Sequence, residues 1–72
     1  MPRLKGNVVY MSDDLCSVWG DTIEDLFHDL KRLAESHGID PTDYPDILWM
    51  DVFDMDKGIR LGHIHHNNSK LT

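Results

Sequence analysis

The chain has one cysteine, Cys16, and no apolar run approaching the ~18 residues of a membrane span. A lone thiol excludes an intrachain disulfide framework and a four-cysteine zinc site. Asp13 and Asp14 stand just before it and disfavour a thiolate, so a nucleophilic role is not expected. The start, Met1-Pro2-Arg3-Leu4-Lys5, lacks the apolar core of a secretion signal, so a cytoplasmic location is expected and no membrane contact. Basic residues are scarce, seven Lys and Arg against thirteen Asp and Glu, for a net charge of −6. Direct nucleic-acid binding, which normally leaves a basic footprint, is disfavoured. No G-x-S-x-G elbow, phosphate-cradling glycine loop, dinucleotide fingerprint or H-E-x-x-H motif occurs. No catalytic residue and no cofactor is therefore assigned.

Glutamate is nearly missing too. Eleven of the thirteen acids are Asp, a poorer helix-interior residue than Glu and a better cap and turn residue. Loops and helix ends should hold most of the acidity. Its distribution is uneven. All thirteen acids lie between Asp13 and Asp56, where Lys31 and Arg32 are the only bases, so that stretch carries −13 + 2 = −11.

What the chain does have is a globular balance, 40% hydrophobic and 28% charged, over 72 residues. That is one small domain, which buries about 60% of the surface of its unfolded form. We place it at 1–66, with 67–72 as a flexible polar tail beginning at Asn67-Asn68-Ser69.

Ile23, Leu26, Phe27, Leu30, Leu33, Ala34 and His37 recur at helical spacing. Asp21 suits the N-cap, with Glu24 three positions on to close a capping box. Gly38 suits the C′ position, Ile39 the hydrophobic contact of a Schellman motif, and Pro41 forbids continuation. The spacing predicts a helix over 22–37, with Leu26, Phe27, Leu30 and Leu33 buried. Strands are expected at Asn7–Met11, Ile47–Phe53 and Ile59–His65, the last two joined by a turn over Asp54–Gly58. A competing short helix over Met55–Leu61 would hold Gly58, at a cost of about 1 kcal/mol relative to Ala. Leu15–Trp19 either pairs back on the first strand through a turn at Ser12-Asp13-Asp14 or forms a short helical turn capped by Ser12. The expected fold is α+β, one long helix packed on a small antiparallel sheet of three to four strands, in chain order β(β)αββ.

In the strand over 47–53, Leu48, Met50 and Val52 point one way while Ile47, Trp49 and Phe53 point the other. Both faces are apolar. One is core, and the other is either a scatter of ordinary exposed apolar groups or a contact surface for a partner or a second copy.

Three patterns bear on chemistry. His63 and His65 fall on one strand face, and Asp51 or Asp54 from the neighbouring strand offers a third metal ligand. Two same-face imidazoles fall short of a full ligand set, so only weak metal binding is expected there. Asp51–Gly58 looks superficially like a calcium loop, but with Asp54 and Asp56 at positions 3 and 5 the loop has Val52 at 1, Lys57 at 6 and His63 at 12. Aspartates bonding their own backbone in a turn explain it better. Lastly, Asp21, Asp25 and Asp29 form a column along the helix, with only Arg32 placed to neutralise it.

The column is either a solvated face that keeps a small protein soluble or a surface that engages a basic groove. In size and charge the chain is like small acidic phage proteins that occupy a host protein's nucleic-acid groove in place of phosphates. The expected function is a non-enzymatic inhibitor of a basic partner protein, with Asp21, Asp25, Asp29 and Asp43 as charged contacts and Tyr44 and Trp49 as apolar anchors. One alternative is a metal-binding protein using the C-terminal histidines. Gly20-Asp21-Thr22-Ile23-Glu24 is similar to the helix start of HicB-type antitoxins. That resemblance, over five residues, implies another alternative, a small regulatory module that dimerises through its sheet.

Overall fold

Two hairpins joined through a helix make up the fold. The structure, a computed structural model, describes residues 3–39, 47–66 and 68–72. In chain order the elements are β1 (Leu4–Tyr10), β2 (Asp13–Gly20), α1 (Ile23–Ser36), β3 (Leu48–Asp54) and β4 (Ile59–His65). The four strands form one antiparallel sheet in the order β2-β1-β3-β4, so the two hairpins meet along β1 and β3. This is the expected α+β class, with the helix packed across β2, β1 and β3.

The first hairpin resolves the ambiguity at Leu15–Trp19 in favour of a strand. Its loop is the two residues Met11 and Ser12, both at positive φ, 50° and 71°. Such a loop matches the right-handed twist of the strands, although neither residue is of the Asn or Gly type that adopts it cheaply. β2 carries a bulge, because Val8 pairs with Cys16 and Val9 with Asp14, which leaves Leu15 unpaired.

The helix starts one residue later than the sequence suggests. Thr22, not Asp21, is the N-cap, and its hydroxyl accepts from the Asp25 N–H at 3.2 Å while the Asp25 carboxylate accepts from the Thr22 N–H at 3.3 Å. Both residue pairs satisfy the capping-box pattern. The pair that wins also lets Asp25 accept from the Asp21 N–H at 3.2 Å. The other end is as expected. Gly38, at φ 69°, donates to the Glu35 carbonyl, and Ile39 donates to that of Ala34, the paired bonds of a Schellman motif.

Leu26, Leu30 and Ala34 are buried, while Phe27 and Leu33 flank the core half-buried, so the helix stripe is narrower than expected. Under it lie Leu4 and Val8 of β1, Leu48, Met50 and Val52 of β3, and Ile64 of β4. The competing helix over 55–61 is replaced by a turn. The Asp54 side chain, 5% exposed, accepts from the N–H groups of Asp56 and Lys57 at 3.0 and 3.1 Å, and Gly58 sits at φ 68°. Of the expected tail, residues 68–72 run back beside β4. Thr72 and His63 exchange both backbone hydrogen bonds at 3.0 Å, and Leu71 packs against the core. Among the described residues no helix is long and apolar enough to cross a membrane.

Candidate interaction surface

One helix covers one face of the sheet and leaves the other open. Strand pairing arranges the open face in rows. Running from β2 to β4, the first row is Trp19, Lys5, Phe53 and Arg60. The second is Ser17, Asn7, Asp51 and His63, and the third is Asp14, Val9, Trp49 and His65. The strands contribute alternate residues, as pleating demands, except at two bulges. The one in β2 returns Asp14 to this face beside Val9, and one at Leu61 of β4 returns Arg60 beside Phe53.

The polar groups of the face largely engage one another. The Arg60 guanidinium donates to the Asp51 carboxylate from Nε at 3.0 Å and from a terminal nitrogen at 2.6 Å. The Asn7 side-chain amide donates to Asp14 at 3.3 Å. The Thr72 hydroxyl lies 3.0 Å from His63 Nε2. Lys5 Nζ stands 5.6 Å from the centroid of the Trp19 ring, worth about 0.5–1 kcal/mol for an exposed cation–π pair. At the opposite corner the His63 ring meets Trp49 edge-on at 5.8 Å and His65 at 5.2 Å. Trp49, Arg60, His63 and His65 line a shallow depression of about 320 Å³. Lys5 and Arg60 balance Asp14 and Asp51, so the face is formally neutral on a chain of net −6 with neutral histidines.

The expected site residues are divided by the fold. Trp49 lies on the open face, half-buried. Asp21, Asp25 and Asp29 are on the helix side, away from Trp49, and two of the three are occupied. Asp25 closes the capping box, and the Asp29 carboxylate accepts from the Arg32 guanidinium. The Arg32 contact is the one the spacing allows, and the backbone bonds of Asp25 tie a second member of the column to the helix start. Asp43 and Tyr44 lie outside the described residues. His63, His65 and Asp51 do share a face, but Asp51 is committed to Arg60 and His63 to Thr72. Among the described residues no group of three His, Cys, Asp or Glu side chains is arranged to hold a metal.

Several residues of this surface were not singled out as site residues from the sequence: Trp19, Phe53, Lys5, Asn7 and Arg60. Alternation within 47–53 marks Phe53 as sharing a face with Trp49, but the others join it only through cross-strand register. His66, the residue after β4, turns inward. It is 1% exposed, its Nδ1 lies 3.1 Å from the Leu48 carbonyl, and its Nε2 is buried without a partner. Since a carbonyl only accepts, Nδ1 carries the proton of that bond.

Fold and surface together define an α+β domain with an open-faced antiparallel sheet bearing an aromatic and polar grid. No protein-family model matches the chain, and comparison with curated proteins and with solved structures finds no match.

Proposed function

We propose that this protein is a non-enzymatic binding protein that takes hold of a partner protein with the open face of its sheet. The observation that carries the reading is the grouping of Trp19, Trp49 and Phe53 on one uncovered face, with Trp19 48% exposed beside Lys5. Large aromatic side chains with a polar surround are the usual anchors of protein interfaces, because they bury much area at little cost in side-chain entropy. The polar groups between them are already paired, so docking a partner leaves few charges stranded.

A second reading keeps the acidic region as the contact for a basic partner, in the manner of an inhibitor occupying a nucleic-acid groove. The net −11 between Asp13 and Asp56 favours it, as does the exposure of Asp21 and Glu24 at the helix start. Hydroxyl-radical footprinting of the protein, alone and in the complex recovered from its native host, separates the two. The first reading expects protection of Trp19, Trp49 and Phe53 with the helix unchanged. Protection confined to the helix would replace it with the second.

A further inference from the structure

The chain treats the two edges of its sheet differently. At the β4 edge, Thr72 exchanges both backbone hydrogen bonds with His63, and a side chain at Gly62 would strike the Thr72 carbonyl. β2 has no strand on its outer side among the described residues, and Asp13–Ser17 and Trp19 are exposed. An unpaired edge offers backbone donors and acceptors to any strand that fits, and single edges are commonly guarded by Lys or Pro. β2 contains neither, and its two irregular features, the acids at its first two positions and the bulge at Leu15, both lie toward one end and leave Cys16–Gly20 regular.

We infer that β2 pairs antiparallel with β2 of a second copy of this chain, about a two-fold axis at Ser17, joining two sheets into one. Face and charge select this register. Residues opposed across a ladder must share a face. Ser17, Trp19 and, beyond the bulge, Asp14 lie on the open face opposite Asn7, Lys5 and Val9. Cys16 and Val18 lie on the helix side, where they line a cleft with Leu33. With Ser17 opposite itself, Cys16 meets Val18 of the second copy and Trp19 meets its Asp14, while Leu15 stays in its bulge. Every opposed pair then shares a face. The acidic end of each strand arrives beside Trp19, where the Lys5 ammonium stands 5.6 Å from the ring. A register centred on Asp14 would set the acids of the two copies against each other, and one centred on Cys16 would bring Asp14 opposite Ser17, away from Lys5. One centred on Val18 would leave both acids and much of the strand unpaired. A domain this small also gains from burying an edge against a copy of itself.

The pairing is read on the protein alone, so it can fail without touching the proposed function, and the reverse holds. Residues directly opposed in an antiparallel ladder have Cα atoms about 4.5–5.5 Å apart, within the span a disulfide bridges. Ser17→Cys in a Cys16→Ser background, treated with oxidised glutathione, should therefore give a covalent dimer, and Lys57→Cys in the same background, in the exposed β3–β4 turn away from β2, should not. Light scattering of the unmodified protein should return twice the chain mass, and Ser17→Lys should halve it with its circular dichroism unchanged. A monomer mass across the concentration series, with no more Ser17→Cys dimer than in the Lys57→Cys control, overturns the proposal. So does a dimer that Ser17→Lys leaves intact, since the copies would then meet on another surface.

Discussion

The two faces of the sheet differ in composition as well as in exposure. Under the helix the strands present Leu4, Val8, Leu48, Met50, Val52 and Ile64, all aliphatic or thioether and all buried. On the other side they present two tryptophans, a phenylalanine, two histidines and four charged groups within three rows. Aliphatic side chains suit a close-packed interior because they carry no polar atoms to satisfy. An amphipathic ring suits a surface that is wet until something docks. The contrast teaches that this small chain builds its buried core from aliphatic residues and places both tryptophans and Phe53 on the open face, while Tyr10 and Phe27 pack against the core.

The sharpest way to break the comparison is to charge the covered face. Leu30→Asp places an unpaired carboxylate where no water reaches, and should leave the protein unfolded at 25 °C by circular dichroism. A milder pair of truncations should show the same asymmetry. Leu48→Ala, at a site with no exposure, should cost about 2–5 kcal/mol in urea unfolding. Trp19→Ala removes a larger side chain from the open face and should cost less than about 1 kcal/mol, most of it the Lys5 contact. Equal costs would mean that the open face is part of the core.

The first hairpin offers a smaller effect of opposite sign. Met11 and Ser12 occupy left-handed backbone that costs roughly 1–2 kcal/mol for a residue with a side chain. Met11→Asn with Ser12→Gly supplies the preferred loop residues and should add about 1 kcal/mol, raising Tm by about 4–8 °C. The smallest effect expected concerns metal. With Asp51 held by Arg60 and His63 by Thr72, adding zinc or a chelator should leave Tm unchanged. A stoichiometric metal in protein prepared without zinc or nickel would contradict this.

The sequence discloses some of these elements more readily than others, for physical reasons. Helix α1 is legible because its apolar spacing, Gly38 and Pro41 all agree, and Ile59–His65 because its turn is marked by Asp54 and Gly58. The helix start is blurred because Asp21 with Glu24 and Thr22 with Asp25 are equally good capping boxes. β2 hides because it is an edge strand with little to bury, its loop residues carry no turn signature, and the bulge at Leu15 breaks its alternation. The acidic column is plain in the sequence, yet the cap bond of Asp25 and the Arg32 contact of Asp29 depend on local geometry. The open face is the least legible. Trp49 and Phe53 share it by alternation, but Trp19, Lys5 and Arg60 reach it only through the pairing of four strands.

The central claim is that the covered face holds the fold and the open face holds the partner. The most direct measurement is the affinity of the partner, purified from the native host, for two variants whose melting curves match the unaltered protein. One is Trp19→Ser with Phe53→Ser, and the other is Asp21→Asn with Glu24→Gln, which spares the Asp25 cap. Loss of interface anchors of about 2 kcal/mol or more corresponds to a Kd weakened at least ~30-fold, and that is expected of the first variant alone. Wild-type affinity in the first variant, with weakened binding in the second, would contradict the account and assign recognition to the acidic helix.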